Sequence, residues 1–160
     1  MLGPEPIADR LKEILLEGYE AAIDILRAEY DDGVDLPSIA AVHLESPDGD
    51  QFSYPCTVIS EANWKMEGAS QSMAECTYIF AVDQWDTATV DGLEAMHRRL
   101  WRYQRASIEL LRLHTTTEKD VWIGLQLENR RPEPLRYSEK ERAYYRGKGI
   151  LVGVLVDEDY

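Results

Sequence analysis

Little in this chain is basic, sulfur-containing or continuously apolar. Of 160 residues only 17 are lysine or arginine, against 30 aspartate or glutamate, for a formal net charge of −13. So large an acidic excess repels nucleic acid and anionic membrane surfaces at long range. Neutralising DNA phosphates needs a basic face, so duplex binding is not expected as the main task. Two cysteines, Cys56 and Cys76, allow one disulfide at most. The N-terminal Met1-Leu2-Gly3-Pro4-Glu5-Pro6 lacks the positive and apolar regions of an export signal, and a reduced, cytoplasmic setting is expected. No apolar run approaches the roughly 18 residues that a membrane span needs. Phenylalanine is scarce at two residues, but four tryptophans and nine tyrosines are many. With an apolar body and a polar tip, these rings suit packed edges and contact surfaces. A hydrophobic content of 44% is enough for a core, and the length suits one domain, 1–160.

Motifs for chemistry are missing as well. There is no G-x-S-x-G elbow and no local Cys-His signature, and no catalytic constellation emerges. Arg146-Gly147-Lys148-Gly149 raises the question of a phosphate cradle. A Walker loop, however, follows a strand, carries Ser or Thr after its lysine and opens a helix. Here the glycines follow a charged stretch and precede an apolar one, so the reading is a glycine-permitted turn. Asp31, Gly33 and Asp35 mimic the start of a calcium loop, but Leu36 stands where the glycine belongs. Asp48-Gly49-Asp50 has Ile59 in place of the twelfth-position glutamate. His43, His97 and His114 are not spaced as metal ligands. Cys56 and Cys76 fall on neighbouring predicted strands, set close together by a hairpin near Glu67–Gly68, and read as two small buried thiols. No cofactor and no metal is expected.

What is there is periodic. Ile7, Leu11, Ile14, Leu15, Gly18, Ala22, Ile25 and Leu26 recur at helical spacing between Pro6 and Tyr30, and Asp31-Asp32-Gly33 stops the helix. Gly18 on the apolar face points to close packing there. From Ile39 the period becomes two. Segments 39–44, 52–61 and 75–83 read as three strands of an antiparallel meander. Val90 to His114 reads as a second helix, roughly 37 Å long, with Thr89 as its cap and acidic and basic residues placed to suit its dipole. Strands follow at 121–128 and 150–156. The latter is apolar on both faces, which predicts a central, doubly covered strand. Residues 129–148, with Tyr137, Tyr144 and Tyr145, read as a long charged connection, either a solvated loop or an arm reaching a neighbour. Ser138 with Glu141 could open a short helix there. The order is α-β-β-β-α-β-β: an α+β two-layer fold, with an antiparallel or mixed sheet of about five strands and two main helices packed on it.

One cluster of charge opposes the general trend. Residues 98–112 hold five arginines and one glutamate. Arg98, Arg102, Arg105 and Arg112 advance by four, three and seven residues and share one helix face. Three readings stay open. One is a solvated face with salt bridges to the acidic first helix. Another is a docking face for an acidic surface, such as a second copy, because the arginine fork pairs carboxylates bidentately. Nucleic acid is a third and lesser partner for the stripe.

The element order resembles that of the tail terminator (tail-completion, or neck) proteins of long-tailed bacteriophages. The resemblance is carried by the amphipathic first helix and by "YPCTVIS" at 54–60. It is carried further by "ECTYIFAVDQWDT" at 75–87 leading into helix 90–114, and by the closing "GILVGVLVDEDY" at 149–160. It implies a homo-oligomeric ring, typically a hexamer, that caps the tail tube, halts its polymerisation and presents the surface that joins the head. Its partners would be other copies, the tail tube protein and the head-completion or connector protein, in the neck of a virion assembled in the host cytoplasm. DNA would at most pass through the lumen, and neither catalysis nor cofactor is implied. Ring contacts need two different complementary patches. The arginine stripe is one candidate. Asp31, Asp32 and Asp35, with the Asp157-Glu158-Asp159 end, form the other. The alternatives are a head-completion or connector role in the same virion, or a small-molecule-binding α/β module.

Overall fold

The computed structural model describes residues 3–45, 53–67, 73–118 and 121–159. Helix α1 spans Pro4–Glu29, with proline in its first turn where a missing N–H costs nothing. Strands β1 (Ala41–Leu44), β2 (Cys56–Glu67) and β3 (Met73–Ala88) follow. A 3-10 turn at Val90–Gly92 leads into α2, Leu93–Arg112. The chain then forms β4 (Gly124–Asn129), β5 (Arg136–Ser138) and β6 (Ala143–Asp159). Among the described residues the fold is α+β: two helices on a mixed sheet ordered β1-β2-β3-β6-β4, with β5 paired to β6.

Several sequence expectations need correction. β1 pairs with β2 in parallel, Ala41 opposite Cys56, so the first three strands are not a meander. The chain between Leu44 and Cys56 returns to the same end of the sheet, a long-range choice that period-two patterning does not encode. The connection 129–148 is no loop, because β5 and the first half of β6 form a hairpin, Tyr137 opposite Tyr144. Ser138 and Glu141 lie in its turn, where the Glu141 N–H donates to Ser138 Oγ at 3.3 Å. Cys56 and Cys76 are far apart along the hairpin, opposite Trp85 and Met66 respectively. The last strand runs past the expected 150–156, because Asp157, Glu158 and Asp159 continue β6 opposite Glu75, Ala74 and Met73. Asp48-Gly49-Asp50 and the predicted turn at Gly68 lie outside the described residues.

The helical layer covers one sheet face. Tyr78, Phe80 and Val82 of β3 and Ile150, Val152, Val154 and Val156 of β6 meet Ile7, Leu11, Leu15 and Ile23 of α1 in one buried core. β6 is central, as its sequence predicts. Its other face is not helix-covered, and Leu151 and Leu155 remain half-buried there. Gly18 lets α1 approach α2. A Cβ there would meet Leu110 Cδ2 at 2.4 Å, so the close packing expected at this glycine is present. A buried polar chain crosses the core. The Tyr19 hydroxyl lies 2.8 Å from both Thr57 Oγ1 and Ser107 Oγ, and Gln84 Nε2 donates to the same serine oxygen at 2.9 Å. It ties α1, β2, α2 and β3 to one another in a single register, and it leaves Gln84 Oε1 buried without a hydrogen-bond partner among the described residues.

Candidate functional site

α2 has two flanks with different work. Towards α1 it carries the arginine stripe. The Arg102 guanidinium stacks over the Tyr30 ring, 4.0 Å from its centroid, and donates to the Asp32 carboxylate. That donation holds the Asp32 carboxyl below its ordinary range. Arg105 binds Glu29 and Glu109, each at 3.0 Å, and these bonds keep its guanidinium firmly protonated. Arg98 pairs with Glu94 at 3.0 Å and approaches Asp32 at 3.6 Å. The structure thus brings Arg98, Arg102 and Arg105 together with Asp32 and the end of α1. This agrees with the reading of intramolecular salt bridges, and Arg102 is only 5% exposed. Asp35 lines a hollow with Tyr30 and Arg102, and Arg112, Asp31 and Asp157 are exposed. Tyr137 packs on Tyr144 with ring centroids 4.9 Å apart, and Tyr145 lies 6.2 Å from Trp85.

The other flank of α2 faces β6, and here Arg146-Gly147-Lys148-Gly149 acquires its meaning. The stretch is strand throughout, which corrects the expected turn. Alternation sends Arg146 and Lys148 to the helix-facing side and both glycines to the opposite side. Neither glycine has a left-handed φ. What they provide is space. A Cβ on Gly147 would sit 2.6–2.9 Å from the Trp85 ring. One on Gly149 would sit 2.1 Å from the Val82 carbonyl oxygen and 2.3 Å from Asp83 Oδ1. Asp83 is itself buried and ion-paired to Arg130. Burial pushes its carboxyl up, and the guanidinium pulls it partly back.

On the helix side the two cations line a crevice of about 590 Å³. Its α2 wall is Glu94, His97, Arg98, Leu100 and Trp101, and Pro132 also lines it. Trp101 is 59% exposed. The Arg146 Nε–H donates to the Glu133 carbonyl at 2.8 Å, which fixes the stem of that side chain. Among the described residues neither Arg146 nor Lys148 forms a salt bridge. Gln104 Nε2 donates to the Gly149 carbonyl at 2.9 Å and anchors α2 to the strand beneath. Burial, and then the field of Arg146, hold the His97 imidazole below its ordinary value, so it is neutral at neutral pH. The crevice offers an apolar floor, an exposed indole and unpaired positive charge. It suits an anionic group attached to an apolar or aromatic body.

Sequence reasoning missed this site because its two walls are some 45 residues apart in the chain. A signal was present in the alternation R-G-K-G, a strand with one cationic face, and in His97 and Trp101 one helical turn apart. No group of three metal-ligating side chains occurs among the described residues. Burial pushes the Cys56 thiol up to about 12, which leaves it protonated and unreactive. No described helix is long and apolar enough to cross a membrane. Comparison with protein-family models finds no match, and comparison with curated proteins finds none either.

Proposed function

We propose that this chain is a non-enzymatic virion assembly protein, the tail terminator of a long-tailed bacteriophage. Copies join in a ring, expected to be a hexamer, on the end of the tail tube. The ring stops tube growth and presents the surface that the head-completion protein meets, in the neck of a virion assembled in the host cytoplasm. One observation carries this reading: a crevice with an exposed tryptophan and two cations, Arg146 and Lys148, that form no salt bridge among the described residues stands on a chain of net charge −13. Closed rings grow from two unlike patches on each subunit. A cationic pocket and an acidic remainder supply such a pair, and arginine and tryptophan are residue types that concentrate binding energy at interfaces. An acidic lumen would let DNA pass without adhering. A connector role in the same neck rests on the same ring chemistry.

A second reading is favoured by the volume and lining of the same crevice. At about 590 Å³, with His97, Arg146 and Lys148 converging on an apolar floor, it is the size of a small-molecule site. Light scattering with negative-stain imaging separates the two. The assembly reading expects oligomers in solution, or rings on the ends of purified tail tubes. A protein that stays monomeric at high concentration, adds nothing to tube ends and is stabilised by small aromatic acids supports the binding module and ends the terminator reading.

A further inference from the structure

The ring reading leaves open which surface of one copy enters the crevice of the next. α1 carries a second charged feature. Asp9, Glu13, Glu17, Glu20 and Asp24 advance by four, four, three and four residues, and all five are exposed. They form one acidic ridge roughly 22 Å long on the outer face of the helix. Arg10 pairs with Glu13, and Arg27 with Glu20 and Asp24, while Asp9 and Glu17 have no ion pair among the described residues. We propose that this α1 ridge of one copy docks in the Trp101–Arg146–Lys148 crevice of a second copy. The proposal rests on the ring reading and supplies its contact.

Three observations support the pairing. First, the charges are complementary: Asp9 and Glu17 of the ridge and Arg146 and Lys148 of the crevice form no ion pair among the described residues, while Glu94 in the crevice wall is occupied by Arg98. Second, the two surfaces cannot meet within one molecule. α1 packs along the flank of α2 that carries Leu110, Arg102 and Arg105, and the crevice opens on the flank that meets β6. α1 lies over β1 and β2, and α2 over β3 and β6, so ridge and crevice belong to different sides of the helical layer. A contact between them is head-to-tail, the kind that propagates into a ring. Third, Trp101 is a large rigid ring left 59% exposed beside the cations. Seating a helix against it buries that ring, and the desolvation strengthens the flanking charge pairs.

The test uses two single-cysteine additions in the full chain that spare the proposed contact, L16C beside the ridge and E94C at the crevice, both at exposed positions. Native Cys56 and Cys76 are buried. After mixing, a short bis-maleimide should join L16C to E94C about tenfold faster than either joins itself. Lys148→Glu in the E94C copy should slow that reaction about tenfold, and Glu20→Lys in the L16C copy should restore part of the rate. If wild-type copies associate by light scattering but the mixed pair has no advantage, the contact is overturned while the ring survives on another surface. If wild-type copies neither associate at low salt nor form rings on tube ends, the ring reading fails and the contact falls with it.

Discussion

Replacing Gly149, Gly147 and Gly153 one at a time by alanine separates a glycine needed for space from one needed for a turn. All three lie in β6 and project to the same sheet face. At Gly153 an added Cβ meets nothing closer than 3.8 Å, so the substitution removes unfolded-state freedom and stabilises by about 0.5 kcal/mol. At Gly147 the obstacle is the Trp85 ring at 2.6–2.9 Å, a side chain that can swing. The net cost is about 1 kcal/mol. At Gly149 the obstacles are the Val82 carbonyl oxygen at 2.1 Å and the Asp83 Cα at 2.6 Å. Backbone at the centre of the sheet moves only by parting β3 from β6. About 3 kcal/mol is the expected loss. With roughly 2–4 °C per kcal/mol for a domain of this size, G149A should melt about 6–12 °C below wild type, followed by circular dichroism. Rescue should differ too. Trp85→Val should recover G147A, whereas Asp83→Ala should not recover G149A, because the carbonyl remains. A G149A protein melting within about 2 °C of wild type, or one fully rescued by Asp83→Ala, would refute the close-approach argument.

Arg130→Met leaves Asp83 buried without its partner and should cost about 2–3 kcal/mol in urea unfolding at neutral pH. Because the folded-state value of Asp83 is already raised, losing Arg130 raises it further. The deficit should therefore shrink as pH falls towards the unfolded carboxylate value and grow as pH rises through the folded one; a pH-independent deficit contradicts this. His97 titrates below its ordinary value, so its contribution to stability is present above the unfolded imidazole value and is lost as pH falls through the folded one. In Arg146→Met an NMR titration should find its pKa closer to normal, and no movement would remove Arg146 from its surroundings. Gly18→Ala should destabilise by about 1 kcal/mol through its clash with Leu110, and adding Leu110→Ala should remove the coupling in a double-mutant cycle.

The parts of the fold legible in sequence were those set by local periodicity. The apolar stripe from Ile7 to Leu26 gives α1, and Gly18 announced the tight crossing of α2. The double apolar character of 150–156 pointed to a central strand, which β6 is, but the cover it also predicted for the second face is missing among the described residues, where Leu151 and Leu155 stay half-buried. The parts not legible depend on partners distant in the chain. Parallel pairing of β1 and the β5–β6 hairpin follow from which edge each segment reaches, and charged residues at 129–148 satisfy a strand as well as a loop. The arginine stripe could be read as a face, but only the end of α1 folding back onto it decided what Arg102 touches.

By itself the sequence determined the α+β class, the two helices, the central strand and the lack of any local catalytic motif, because these follow from composition and from periods of 3.6 and 2. Only the tertiary structure decided what Arg146-Gly147-Lys148-Gly149 is. As a strand against α2, it turns two cations into the wall of a crevice. As the neighbour of β3, it needs two hydrogens where Trp85 and the Val82 carbonyl come too close for a methyl group. Both results require knowing what lies across the sheet and above it, and no local pattern of residues carries that information.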